Sequence, residues 1–164
     1  MARHILIING HPIKDSFNDA LAESYLTGAR QAGHTVDHVK LSSLNSFDPV
    51  LRDTTHKKDS SKKIVSELQE KVNKADHLVV IHPTWWSTMP AILKGFFDKV
   101  FAAGFSFQFV EGSPFPKKLL KGKSARIITT MDAPPLFYRL MLRNAGVYVL
   151  KKGILKFCGY KPVR

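Results

Sequence analysis

Apolar positions along this chain fall into two alternating patterns. Unbroken runs such as Ile5-Leu6-Ile7-Ile8 and Leu78-Val79-Val80-Ile81 suit strands covered on both faces. Between them, apolar residues recur at helical spacing among polar ones. The first run predicts a strand over about Arg3–Asn9; Phe17, Leu21, Tyr25 and Ala29 predict the helix after it, with Gly33 placed to end it. A second strand is expected at about Thr35–Leu41, where Asp37, His38 and Lys40 mark a sheet edge. Ile64, Leu68, Val72 and Ala75 form one stripe of a helix from near Ser60 to Lys74, and a third strand follows at His77–His82. Pro90, whose fixed φ suits a first helical turn, opens a third helix with Ile92, Leu93, Phe96, Phe97 and Val100 on its buried face. A fourth strand is expected at Ala125–Thr130. A further helical segment lies within Tyr138–Phe157, its limits blurred by Gly146 and Gly153.

Strands alternating with helices predict an α/β fold, a parallel sheet with helices on both faces. Right-handed crossovers give the strand order 2-1-3-4-5 and put the ligand crevice between strands one and three, at the carboxyl ends of the strands. Two loops there carry polar or aromatic residues beyond what packing needs. Asn9-Gly10-His11-Pro12-Ile13-Lys14-Asp15-Ser16-Phe17-Asn18 leaves the first strand and opens a helix. Ser16 with Asp19 three residues on forms a capping-box pattern. Free N–H groups at such a helix start, with the aligned peptide dipoles, attract a phosphate. The second loop, Pro83-Thr84-Trp85-Trp86-Ser87, sets two adjacent tryptophans between a buried strand and a helix. Packing of a domain surface is the plain account of the pair; flat surfaces for a flat cofactor are the functional one.

These segments, with Met89-Pro90-Ala91-Ile92-Leu93-Lys94-Gly95, Gly104-Phe105-Ser106-Phe107, Leu120-Lys121-Gly122-Lys123, Thr129-Thr130-Met131-Asp132 and Phe157-Cys158-Gly159-Tyr160, resemble the flavodoxin-like NAD(P)H:quinone oxidoreductase family, the NAD(P)H dehydrogenase (quinone) type. The resemblance spans nearly the whole chain in the expected order. It implies a flavodoxin-like three-layer sandwich, with residues 1–164 as a single flavin-binding domain. It also implies that His11, Ser16, Phe17 and Asn18 hold the flavin phosphate, with Ala20 lining the same helix start. Pro83, Thr84, Trp85, Trp86 and Ser87 would frame the isoalloxazine ring, and Thr130, Met131 and Asp132 would form a third contacting loop. Here the chain departs from the best-known members, which have glycines after the paired threonines where this one has Met131-Asp132-Ala133-Pro134-Pro135. Those members also carry a tyrosine and a histidine beyond this loop; Tyr138 is the one catalytic candidate here, with no matching histidine after it. The implied reaction is hydride transfer from NAD(P)H through bound flavin to a quinone or related acceptor, with the flavin carrying the chemistry. FMN is favoured because no segment is dedicated to an adenosine half, and FAD stays open.

The family normally continues Lys161-Pro162-Val163-Arg164 into a fifth strand and a final helix. Either the protein is naturally short or a tail lies beyond Arg164; if the tail is truly absent, one face of strand four and its neighbouring helix would be exposed, which favours covering by a partner chain. Relatives build the acceptor pocket at a subunit interface, so a homodimer is expected. Part of the segment carrying Phe96, Phe97, Phe101, Phe105, Phe107 and Phe109 would meet the second copy.

Composition narrows the rest. The 164 residues, 44% of them hydrophobic, can bury a core without disulfides or metals. A lone cysteine, Cys158, excludes an internal disulfide framework and fits a reducing cytoplasm. Its apolar surroundings predict a buried inert thiol. No run approaches membrane-spanning length, and the run after Arg3-His4 is too short for a signal peptide. The seven histidines show no ligand spacing, so no metal is assigned. A net charge of +12 comes from Lys57-Lys58, Lys62-Lys63, Lys117-Lys118, Lys121 to Arg126 and Lys151-Lys152 among others. That scatter carries no nucleic-acid motif, attracts an anionic dinucleotide, and counts against a simple electron carrier of the acidic flavodoxin type. Two other readings remain. A non-catalytic flavin-binding regulatory subunit of a partner such as a transporter would bind flavin with little turnover. A basic nucleic-acid-binding domain would be colourless and salt-sensitive.

Overall fold

The computed structural model describes residues 1–52 and 61–164. Ser60, His56 and the Lys57-Lys58 pair lie outside the described residues. In chain order the elements are β1 (His4–Asn9), α1 (Phe17–Gln31), β2 (Thr35–Lys40), α2 (Lys62–Lys74), β3 (His77–Pro83), α3 (Ala91–Val100), β4 (Phe107–Gln108), β5 (Lys117–Lys118), β6 (Ser124–Thr130), α4 (Pro135–Met141) and α5 (Ala145–Tyr148). A π-helical stretch, Val149–Leu155, and a last turn, α6 (Lys156–Cys158), follow.

The sheet is parallel, in the order β2-β1-β3-β6. β6 is the expected fourth strand. Beyond it Val163 pairs in parallel with Ala125, and the Ala125 and Ile127 N–H groups donate to the Pro162 and Arg164 carbonyls at 2.9 and 2.8 Å. The last residues therefore open the fifth strand at the expected edge. The β4–β5 pair is an antiparallel addition between α3 and β6; two residues per strand are too few to leave a pattern in the sequence.

The unbroken apolar runs have a direct cause. Side chains alternate across a strand, so Leu6, Ile8, Leu78 and Val80 enter one core while Ile5, Ile7, Val79 and Ile81 enter another. The first core lies under α2 and α3, with Leu68, Val72, Leu93, Phe96 and Phe97; the second lies under α1, with Ala22 and Ala29. Each such side chain contributes about 1.5–3 kcal/mol when fully buried. The α2 stripe shifts by one position at its start, since Val65 is buried and Ile64 only partly so. In α3, Ile92 is half-buried. Leu41 leaves β2 for a 3-10 turn.

The phenylalanines divide. Phe96, Phe97 and Phe101 pack edge-on or tilted in the core, with ring centroids 5.0–6.0 Å apart. Phe107 packs on Phe157 and Phe109 at 5.0 and 5.4 Å, and Phe109 is exposed. The interface expected from this segment thus loses three of its six rings to the monomer's own core. Cys158 is buried, and burial pushes its thiol above the ordinary range. The helical segment past β6 starts at Pro135, before Tyr138, and breaks where Arg143 and Asn144 turn left-handed at φ 50° and 52°.

Candidate functional site

The site starts where β1 ends. Asn9 is buried, its amide donating to Asp19 Oδ1 at 3.0 Å while its Oδ1 accepts from the His11 N–H at 3.1 Å. Ser16 caps α1 in a full capping box: its Oγ accepts from the Asp19 N–H, and its own N–H donates to Asp19 Oδ2 at 3.0 Å. Lys40, ending β2, sits 3.4 Å from Asp19 and 3.2 Å from Glu23. Burial pushes the Asp19 carboxyl up, but the Ser16 donors and Lys40 together outweigh it and hold the group below the ordinary carboxylate range. Gly10 allows this loop to lie against α3, for a Cβ there would meet Leu93 at 2.8 Å.

Asn18, on the first turn of α1, is 2% exposed. Its Oδ1 accepts from the Thr130 hydroxyl at 2.9 Å, so the first loop is tied to the end of β6. Its Nδ2 has no partner among the described residues. A buried donor left unpaired costs about 1–3 kcal/mol, so this amide is suited to an acceptor arriving from outside the chain. Phe17 and Ala20, on the same turn of helix, are exposed.

The loop after β3 is held on both sides. Thr84 donates its N–H to the Thr130 carbonyl, and its hydroxyl shares a hydrogen bond with that of Thr129, both at 2.7 Å. Trp85 and Thr88 exchange N–H···O bonds at 2.9 and 3.0 Å, closing a two-residue turn over Trp86 and Ser87. Both central residues are left-handed, at φ 49° and 63°. Such a turn favours Asn-Gly; a bulky pair held there costs on the order of 1–3 kcal/mol per residue. Pro83 is buried, Trp85 is half out of the surface with its ring edge-on to His11 at 5.8 Å, and Trp86 is 99% exposed. Met131 is half-buried and Asp132 exposed where the third loop leaves β6.

Tyr138 is buried, its hydroxyl donating to the Ser87 carbonyl and accepting from the Gly146 N–H, each at 3.0 Å. The structure thus joins the three loops through Asn18–Thr130, Thr84–Thr130 and His11–Trp85. Sequence reasoning missed Asn9, Lys40, Thr129, Gly146 and the buried His82, which burial keeps below the usual histidine range. Asn9 and His82 each had a signal, a polar residue closing a buried apolar strand, and Thr129 stands beside Thr130 in the third loop's motif.

A family model described as flavodoxin-like fold matches residues 3–164. The chain is similar to the NAD(P)H dehydrogenase (quinone) 1 of Rattus norvegicus, at 29% identity over 97% of this chain and 66% of that protein. It therefore spans just under two thirds of that relative's length. Among solved structures it is similar to Smu.1420 of Streptococcus mutans, 41% identical with a TM-score of 0.83 over 98% of this chain and 84% of that one. It is also similar to an NAD(P)H:quinone oxidoreductase from Methanothermobacter marburgensis, 25% identical with a TM-score of 0.82, over 100% and 85% of the two chains.

Proposed function

This chain belongs to the flavodoxin-like fold family, and on that premise we propose that it is a flavin-dependent NAD(P)H:quinone oxidoreductase. The observation that carries the reading is the unpartnered, buried Asn18 amide at the start of α1, where the loops after β1, β3 and β6 meet. The names of the rat and Methanothermobacter relatives support the same reading.

In this reading the flavin phosphate sits at the start of α1. The Asn18 amide donates to it, joined by the N–H groups of Phe17 and Asn18, which lie in the first turn and so have no partner within the helix. Ser16 keeps that turn capped, His11 closes the side towards Trp85, and Ala20 lines the same end. Pro83, Thr84, Trp85, Trp86 and Ser87 frame the ring, with Thr130, Met131 and Asp132 bordering it from β6. The Trp86 and Ser87 N–H groups would be the turn's donors to its polar edge and would favour negative charge there, since those of Trp85 and Thr88 are paired with each other's carbonyls. When bound, the flavin supplies two-electron hydride chemistry between NAD(P)H and a quinone; the chain supplies binding, orientation and exclusion of water. FMN is the proposed form, and the net charge of +12 draws the anionic dinucleotide in. The single, buried thiol fits a cytoplasmic setting.

A second copy completes the site in this proposal. Leu136, Phe137, Leu140 and Met141 expose an apolar face on the helix that holds the tryptophan turn, and a partner there would shield the ring from water.

The test is titration of the apoprotein with FMN and FAD, followed by NAD(P)H reduction and quinone reoxidation watched in the visible spectrum. Replacing Ser16 and Asn18 together by alanine should remove the Asn18 bond to a charged phosphate, about 1.5–3 kcal/mol of binding, together with the cap that Ser16 gives the turn. Undiminished affinity would refute the phosphate site, and a bound flavin that NAD(P)H does not bleach would refute the oxidoreductase.

A further inference from the structure

α4 exposes its apolar residues and buries one side chain. Leu136, Phe137, Leu140 and Met141 face solvent, and only Tyr138 turns inward, 3% exposed. A buried phenol needs its hydroxyl paired, and this one is paired in both roles. It donates to Ser87 and accepts from Gly146. The Tyr138 carbonyl meanwhile accepts from the Leu142 and Asn144 N–H groups, both at 3.2 Å. One residue thus folds the chain back through left-handed Arg143 and Asn144 and brings Gly146 against its own hydroxyl. Gly146 has no room for a side chain, since a Cβ would meet the Ser87 carbonyl oxygen at 2.6 Å, Thr88 Cα at 2.8 Å and the Tyr138 hydroxyl at 2.9 Å. Across that contact lie Trp86 and Ser87, both in a conformation their side chains disfavour.

We infer that Tyr138 is a positioning residue for the tryptophan turn and not a proton donor. Its hydroxyl fastens the α4–α5 bend to the Ser87 carbonyl and holds Trp86 and Ser87 left-handed, which fixes where the Trp86 ring stands. The hydroxyl proton lies on Ser87 and is unavailable to a ligand unless that fastening opens. The consequence for cofactor binding rests on the proposed flavin reading; the fastening belongs to the ligand-free protein, and this separates the two in the test.

Tyr138→Phe keeps the ring and removes the hydroxyl, and Gly146→Ala presses on the same Ser87 carbonyl. Amide NMR of the ligand-free proteins should show both variants moving the resonances of residues 86–88. Hydrogen exchange should speed up at the Trp85 and Thr88 N–H groups, while Asn9 and Asp19 stay in place. FMN should then bind Tyr138→Phe about tenfold more weakly, equivalent to about 1.4 kcal/mol, with the pH profile of kcat at saturating FMN unchanged in shape. Should Tyr138→Phe fail to fold, the wild-type protein decides the matter by NMR: a Tyr138 hydroxyl proton in slow exchange with water supports the fastening, and one in fast exchange overturns it. Turn amides that do not move would overturn the inference. So would the signature of a proton donor: a fall in kcat and a lost alkaline limb with FMN affinity intact. Moved amides in a protein that binds no flavin would support the fastening and remove the proposed function instead.

Discussion

Asp19→Asn tests whether one buried carboxylate organises the first loop. The substitution keeps the shape and exchanges one oxygen for an NH2. Both oxygens are in use: Oδ1 takes the Asn9 amide at 3.0 Å, and Oδ2 takes the Ser16 N–H and hydroxyl at 3.0 and 2.9 Å. Asn9 cannot turn to help, because its own oxygen holds the His11 N–H. Whichever way the new amide turns, a donor meets a donor. One hydrogen bond to a charged acceptor is lost, worth about 1.5–3 kcal/mol, together with a partly exposed ion pair to Lys40, worth about 0.2–1 kcal/mol. The expected loss is therefore about 2–4 kcal/mol, or about 1–2 M off the urea midpoint for a slope near 2 kcal/mol per M.

The acid limb gives a second reading of the same variant. A carboxyl held below its unfolded value contributes fully above about pH 4 and loses that contribution as pH falls through the lowered value in the folded protein. Wild-type stability should therefore fall more steeply than the variant's below that point, the two curves converging in acid. Urea unfolding at several pH values between neutral and strongly acid measures both effects. A loss under about 0.5 kcal/mol, half of a typical hydrogen bond, or parallel acid limbs, would refute the view that Asp19 holds the loop.

Three further outcomes follow from the geometry. Saturating the apoprotein with FMN should strongly quench tryptophan emission, which arises only from Trp85 and Trp86; unchanged emission would leave the turn without its proposed role. Sedimentation equilibrium at micromolar concentration should give twice 18.4 kDa, and replacing Leu140 with glutamate on the exposed face of α4 should shift the protein to monomer; a wild-type monomer would dismiss the second copy. Gly10→Ala should destabilise the fold by about 1–3 kcal/mol through overpacking against Leu93, measured by thermal or urea unfolding.

What the sequence determined by itself was whatever short-range rules control. Unbroken runs such as Ile5–Ile8 and Leu78–Ile81 identify strands buried on both faces, because successive side chains enter opposite cores. Ser16 and Asp19, three residues apart, announce the start of α1, because a capping box closes within one turn. The strand order needed the flavodoxin-like resemblance as well, because crossover handedness fixes the hand of each connection and not the sequence of strands across the sheet. The phenylalanine-rich stretch was read less well. A helical stripe does not say how much of its surface the rest of the fold will cover, and Phe96, Phe97 and Phe101 were covered within the chain.

Tertiary structure alone decided the polar pairings that hold the site. Asn18 meets Thr130 across 112 residues, and Tyr138 meets Ser87 across 51. No periodicity links such positions, since their closeness depends on how β1, β3 and β6 align in the sheet. The left-handed Trp86-Ser87 pair is likewise invisible locally, for propensity argues against it and only the contacts around it impose it. Gly146 reads in sequence as a weak point in a helix; in the fold it is where two backbones come too close for any side chain. Contacts within a turn or a strand depend on neighbours in the chain and so can be read from it, whereas those that shape this site depend on neighbours that only folding brings together.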